Sequence, residues 1–314
     1  MTTALRSARP SNRGRVPAPL RSIPAAGGAL ALALIIILNT STATVHATGV
    51  FGALRAPGER AFIAAHRGDR TVAPENTLPA LQAALASTLD FVETDVQLSA
   101  DGVPVVIHDR TVDRTTNGSG AVSDLTIAEL RQLDAGSWYD PVFAGTVIPT
   151  LDEYLAVVGE ATRAEIAVGG SPKKMLIELK GYWPISSTKV VSNLVTAHGV
   201  QELVTFASFD FTTLMHVEAV APSYPRVIIR RDLPADPVAL VQHFGAIAIL
   251  TSPASLEADP GAVEAMHEAG LGILLYTLNT EERWTEALAL GVDGIVTDKP
   301  SSLDEWLAAT APGT

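Results

Sequence analysis

FVETDVQLSADGVPVVIHDR, residues 91–110, decides how this chain folds, because its two extended segments are joined too tightly for anything but a hairpin. Val92, Val96 and Leu98 alternate with Glu93, Asp95 and Gln97, so the period of two predicts a strand over 91–98 with Glu93 and Asp95 on one face. A second apolar run, Val103 to Ile107, follows after only Ser99, Ala100, Asp101 and Gly102. Parallel strands need a crossover of a dozen residues or more, so this pair must be antiparallel. Asp-Gly supports that reading, since glycine accepts the positive φ of a tight turn. Pairing outward from the turn puts Leu98 opposite Val103 and Glu93 opposite His108. The expected result is a Glu-Asp-His cluster on one hairpin.

Outward from the hairpin, apolar strand patterns and helical patterns alternate. Strands are expected at Ala61–Ala65, Met175–Lys180, Leu203–Ser208, Arg226–Arg230, Ala246–Leu250, Gly272–Leu278 and Gly294–Thr297. The first helix follows Thr77, a cap with Pro79 in the first turn, and shows Leu78, Leu81 and Leu85 on one face. Another opens at Thr150 or Leu151 and runs through Val158. Further helices are expected at Ser187–His198, Phe211–Val220, Pro237–Phe244, Gly261–Ala269 and Glu281–Leu290, four of them closed by Gly199, Gly245, Gly270 and Gly291. Residues 109–150, rich in Gly, Ser, Thr and Pro with one short helix at Thr126–Leu133, read as an insertion. Alternation of this kind builds parallel βα units. Removing the returning hairpin arm from the nine strands leaves eight, the number that closes a (βα)8 barrel. A doubly wound open sheet would show a Gly-rich phosphate loop after its first strand, and none follows Ala65.

Composition bounds the rest. The 314 residues carry a formal net charge of −12, which argues against a nucleic-acid binder. Residues 1–47 contain Arg6, Arg9, Arg13, Arg15 and Arg21 but no acid, then an apolar run from Ala25 to Leu38 and a stretch ending Val45-His46-Ala47. That is the form of a secretory signal, cleaved after Ala47 or Ala43, with 48–60 as a linker to the domain at 61–314. Taking its five arginines from the 22 basic residues leaves 17 against 34 acidic, a mature net charge of −17. The apolar run is shorter than the roughly 20 residues of a spanning helix, so an uncleaved anchor is the weaker reading and no stable membrane span is expected after processing. With no cysteine, disulfides and thiolate ligands are ruled out.

In a barrel of this kind the site lies at the C-terminal ends of the strands. The first strand ends in His66 and Arg67, the second carries Glu93 and Asp95, the hairpin arm ends in His108 and Asp109, and the fourth holds Glu178 and Lys180. Three carboxylates without thiolates suit a hard divalent ion such as Mg²⁺ or Ca²⁺. Two histidines beside them suit acid–base work near neutral pH. Arg67 and Lys180 would hold an anion, and a metal with two cations points to phosphate. Each residue also has a structural reading: a salt-bridged strand acid, a hydrogen-bonded histidine. Four charged groups inside apolar strands weigh against it. Glu75 is expected to position Arg67, and Asn76 to lie near the first helix cap. His198, His216, His243 and His267 fall in helical patterns and are read as surface or packing residues.

These motifs carry a resemblance. His66-Arg67-Gly68, Pro74-Glu75-Asn76-Thr77, Glu93-Thr94-Asp95, His108-Asp109, Glu178-Leu179-Lys180 and Gly291-Val292-Asp293-Gly294-Ile295-Val296-Thr297-Asp298-Lys299-Pro300, with Arg114-Thr115-Thr116-Asn117-Gly118 in the insertion, resemble the glycerophosphodiester phosphodiesterase family from about Ala61 to Pro300. The resemblance implies a TIM barrel that uses one divalent ion to hydrolyse glycerophosphodiesters to glycerol 3-phosphate and an alcohol. Carried over by motif, Glu93, Asp95 and Glu178 bind the metal, His66 and His108 are acid and base, and Arg67 and Lys180 contact phosphate. Tyr276 stands where the family commonly has Trp and is taken to line the glycerol or alcohol pocket. Two rival functions stay open: a phospholipase D-type enzyme acting on lysophospholipids or sphingolipids, and an exported binding protein without the reaction. An apolar rim around the site is expected of the first, and aromatic residues at 5% of the chain count against one.

Overall fold

The computed structural model describes Ala47–Thr310, so the proposed leader up to His46 lies outside the described residues. Nine strands form one sheet: β1 Phe62–Ala65, β2 Phe91–Leu98, β3 Pro104–Val106, β4 Lys174–Leu179, β5 Val204–Ser208, β6 Arg226–Ile229, β7 Ala248–Thr251, β8 Gly272–Leu275 and β9 Gly294–Thr297. The order β1-β9-β8-β7-β6-β5-β4-β2-β3, with a further β1–β2 pairing, closes eight parallel strands into a barrel and leaves β3 outside the ring. The expected (βα)8 barrel is therefore the fold, with a hairpin extension after the second strand.

Parallel strands covered on both faces read as near-continuous apolar runs, and these do. Ile63, Val92, Ile177, Phe206, Ile249, Ile273 and Ile295 face the helical layer in the larger core. Phe62, Phe91, Leu176, Val227, Leu250, Leu274 and Val296 fill the barrel interior in a second cluster. That inner cluster also contains Ala47, Val50 and Phe51, because Ala47–Phe51, at the junction of the proposed leader and linker, is a short helix. Phe51, Phe62 and Phe91 stack in the barrel floor, with centroid spacings of 5.0 Å for Phe51–Phe62 and 4.6 Å for Phe62–Phe91. Glycine makes the room: a Cβ on Gly294 would sit 2.2 Å from the Phe62 ring.

Two details correct the sequence reading. The hairpin register is Leu98↔Pro104, Gln97↔Val105 and Val96↔Val106, one residue removed from the expected pairing of Leu98 with Val103 and Glu93 with His108. Ser99 causes the shift. Its N–H donates to the Val103 carbonyl at 3.0 Å and its hydroxyl accepts from the Val103 N–H at 2.9 Å, so residues 99–103 close on themselves as a five-residue loop. The second correction concerns helices. The one opening at Leu151 continues to Ala167, and helices at Pro253–Ala258 and Pro300–Thr310 join those expected. Residues 109–150 hold the short helix Ile127–Leu130, and their Val112, Val122, Leu130, Ala135 and Ile148 form a small core with Val105 and Ile107 of the hairpin arm. Among the described residues no helix is long and apolar enough to cross a membrane.

Candidate active site

The strand ends build the site. On β2, Glu93 and Asp95 project to one face, and Asp95 stands in direct register with Glu178 on β4. One oxygen from each of Glu93, Asp95 and Glu178 lies within 4.8 Å of the others, and all three residues are buried. Arg67 and Lys180 press on the same group. Arg67 Nε is 3.3 Å from Asp95 Oδ2, and Lys180 Nζ is 3.3 Å from Asp95 Oδ1 and 2.9 Å from Glu178 Oε1. The Arg67 N–H donates to Glu93 Oε2 at 2.8 Å, which its backbone achieves at φ 61°. A non-glycine residue held in the left-handed region stores strain of the kind found at ligand sites. Gly68 follows at φ 81°, where a Cβ would fall 2.8 Å from the Ala80 carbonyl carbon, so the turn admits only glycine.

Asn76 lies beneath this group rather than in the cleft. Its amide nitrogen donates to Asp95 Oδ2 at 2.9 Å, and its oxygen accepts from the Thr94 hydroxyl at 3.0 Å and the Asp95 N–H at 3.3 Å. Glu75, also behind the cleft, accepts from Arg67 Nη1 at 2.7 Å. The structure thus brings the expected residues together. His66, Arg67, Glu93, His108, Glu178, Lys180 and Tyr276 line one cleft of about 590 Å³. Tyr276 meets Phe209 edge-on across it, with centroids 6.2 Å apart, and Leu176, Ile229, Leu250 and Val296 form its apolar side.

The shifted register still delivers His108. Strand pairing stops at Val106, and the Gln97 amide nitrogen lies 3.0, 3.0 and 2.6 Å from the carbonyls of Ile107, His108 and Asp109, which fixes the chain where it leaves the sheet. Each histidine then has its own carboxylate: His66 Nδ1 is 2.6 Å from Asp298 Oδ1, and His108 Nδ1 is 2.7 Å from Asp109 Oδ1. An ionised carboxylate only accepts, so Nδ1 carries the hydrogen in both rings and Nε2 is the nitrogen left for the cleft. Both aspartates stand in the motifs named from sequence, but neither was given a role there. Asp109 had a signal, adjacency to His108; Asp298 becomes a partner only because β9 closes against β1.

Burial and like charge shape the titration. Burial first, then Asp95, pushes the Glu178 carboxyl up to about 7, against the pull of Lys180. Burial, with Asp95 and Glu178, also raises Glu93 well above the ordinary carboxylate range. Asp95 goes the other way: burial opposes ionisation, yet Lys180, His108, Arg67 and His66 hold it down at about 2. Burial lowers both histidines, offset at His66 by Asp298 and at His108 by Asp95. Asp95 Oδ1 is buried with no hydrogen-bond partner. Its charged neighbour is the Lys180 ammonium at 3.3 Å, and three buried acids at one point with an oxygen short of hydrogen bonds fit a divalent cation.

Residues 66–302 match the model of the Glycerophosphoryl diester phosphodiesterase family. A Glycerophosphodiester phosphodiesterase of Caldanaerobacter subterraneus subsp. tengcongensis is 33% identical over 244 residues, covering 78% of this chain and 96% of its own. A Bacillus subtilis (strain 168) protein, YhdW, is 36% identical over 245 residues, covering 76% of this chain and 95% of its own. Among solved structures, an Oleispira antarctica phosphodiesterase in complex with the product sn-glycerol-3-phosphate superposes with a TM-score of 0.70 at 30% identity, covering 78% of this chain and 95% of that one.

Proposed function

The chain belongs to the glycerophosphoryl diester phosphodiesterase family, with that family's activity, and on this premise we propose that His66 and His108 act as its acid–base pair in cleaving glycerophosphodiesters to glycerol 3-phosphate and an alcohol. The observation that carries the reading is the pairing of each imidazole Nδ1 with its own aspartate at the edge of one cleft lined also by Arg67, Lys180, Glu93 and Glu178, with Asp95 buried against them. Arg67 and Lys180 take the phosphate oxygens. Nε2 of one histidine removes a proton from the attacking oxygen as its bond to phosphorus forms. Nε2 of the other gives a proton to the alcohol oxygen as the second P–O bond breaks. The attacking oxygen is that of water, or of the glycerol 2-hydroxyl with water opening the cyclic phosphate afterwards. A divalent ion, Mg²⁺ or Ca²⁺, held by Glu93, Asp95 and Glu178 would supply a Lewis acid for the charge that gathers on the phosphoryl group. In this reading the first 47 residues export the protein.

The test is release of glycerol 3-phosphate from glycerophosphocholine. His66→Ala and His108→Ala are each expected to lower turnover by about 10²-fold or more. EDTA is expected to abolish activity and added Mg²⁺ or Ca²⁺ to restore it. Near-normal turnover in either variant removes that histidine from the reaction, and activity that survives EDTA removes the three acids from metal binding.

One observation favours a second reading, a lysophospholipid substrate. Val72, Tyr182 and Phe209 on loops after barrel strands, Ile185 at the start of the helix Ile185–Ala197, and Trp138 and Val142 in the insertion expose large apolar side chains, from 38% for Trp138 to 79% for Val142. The low aromatic content had argued against such a rim. Assaying lysophosphatidylcholine beside glycerophosphocholine separates the two, since only the second reading expects the acylated substrate to be turned over faster.

A further inference from the structure

Behind the histidines runs a line of ion pairs that the proposed chemistry does not yet use. From His66 it passes to Asp298, whose Oδ1 also lies 3.0 Å from Arg70 Nη1, and Arg70 Nη2 is 2.7 Å from Glu75 Oε2. From His108 it passes to Asp109, whose oxygens lie 2.6 and 3.1 Å from Arg114 Nε and Nη2. Arg114 then grips Glu75 with Nη2 at 2.7 Å and Nη1 at 3.0 Å. The order is His66, Asp298, Arg70, Glu75, Arg114, Asp109, His108. No link in it exceeds 3.0 Å at its nearest approach.

The two ends of this line have no common backbone. Asp298 follows β9, which pairs with β8 and β1, while Asp109 follows β3, which pairs with β2. Glu75, on the loop between β1 and the helix Leu78–Leu85, is the one buried carboxylate that both arginines reach. It also takes Arg67, so three guanidiniums converge on two oxygens. Burial opposes its ionisation, but Arg114, Arg67 and Arg70 hold its carboxyl below the usual range. Arg114 is doubly bonded to acids on both sides, and such forks fix orientation as well as distance.

We infer that Arg70, Glu75 and Arg114 are positioning residues that tie His66 and His108 into one unit, so that losing either arginine misaligns both imidazoles. The inference rests on the reading of those histidines as acid and base. Removing Arg70 leaves Asp298 held from behind, among the described residues, by Asn279 alone, whose amide nitrogen donates to Oδ2 at 2.8 Å, and leaves Glu75 to be shared between Arg67 and Arg114, which turns the Arg114–Asp109 fork. Removing Arg114 acts in the opposite direction by the same route. Arg70 and Arg114 meet only through Glu75 among the described residues, and anchors that acted independently of it would give multiplicative losses.

The experiment is a double-mutant cycle on the metal-saturated enzyme with glycerophosphocholine. Arg70→Ala and Arg114→Ala are each expected to lower kcat by about 10- to 100-fold at nearly constant KM, as loss of a supporting partner does. The double variant is expected to be no worse than the weaker of the two, because a unit broken once is already broken. Losses that multiply, losses confined to KM, or an unchanged kcat in either single variant would overturn the inference. If an alanine variant does not fold by thermal melting, Arg70→Lys and Arg114→Lys run the same cycle, since lysine keeps the charge and loses the fork. Failure of the parent reading looks different: His66→Ala and His108→Ala would then stay active, whereas inactive histidine variants with a multiplicative arginine cycle sink only the tie between them.

Discussion

Glu178 shows how a single residue couples this site to pH. Its carboxyl is pushed up to about 7, above its ordinary value of 4.5. Between those values the folded, metal-free protein binds more protons than the unfolded chain, so Glu178 costs stability progressively as pH rises from 4.5 to 7. A divalent cation held by the three acids would take the place of the proton. The stabilisation by Mg²⁺ or Ca²⁺ should therefore be small at pH 5 and larger at pH 7.5. At a hundred times Kd it amounts to roughly 3 kcal/mol, a rise in Tm of about 5–10 °C for a domain of this size. Thermal melts with and without metal at both pH values check this, and a metal effect that shrinks with rising pH would refute it. At this scale the site was largely legible: alternation placed Glu93 with Asp95 and Glu178 with Lys180, because side-chain period in a strand is fixed. The contacts of Asp298 with His66 and Arg70 were not, since they exist only once the first and last strands meet.

Elements were legible where their interiors are apolar. All nine strands lie within about two residues of expectation, except β8, which stops at Leu275 before the cleft residue Tyr276. The hairpin register was missed because one serine hydroxyl adds a residue to the loop, a detail that neither hydrophobic pattern nor Asp-Gly reveals. Helices at Pro253–Ala258 and Pro300–Thr310 were not among those expected, although each opens on a proline, which suits the first helical turn. Leu303 and Leu307, four apart and both buried, were the available signal for the second. The floor of the barrel offers the element-scale prediction. Gly294→Ala would drive a methyl to 2.2 Å from Phe62, in a ring of strands that cannot part without breaking pairing. Overpacking of this kind costs about 1–3 kcal/mol. A Tm lower by several degrees, with kcat kept because the chemistry lies at the other end of the strands, is the expected result; an unchanged Tm would show the floor to be loose.

For the whole molecule, strand count and topology were legible, while the part played by Ala47–Phe51 was not, because a polar-flanked ATGVF carries no pattern that points to a barrel floor. Phe51 is 5% exposed and stacks on Phe62. Phe51→Ala should cost about 3–5 kcal/mol, as for other buried aromatics, and a melt within a degree of the parent would contradict the packing. A Cβ on Gly272 would fall 2.5 Å from that ring, so residues near the start of the described chain are fitted to a strand near its end.

The pairing of β1 with β9 has a further consequence, one of timing. Ribosomes issue the amino end first, and β1 has no second neighbour until β9 has been made and laid beside it. The ring stays unsealed through almost all of synthesis, and Asp298 reaches His66 only at that last closure. If His66 has the proposed role, a chain with this wiring is expected to gain its activity only once that final strand is in place.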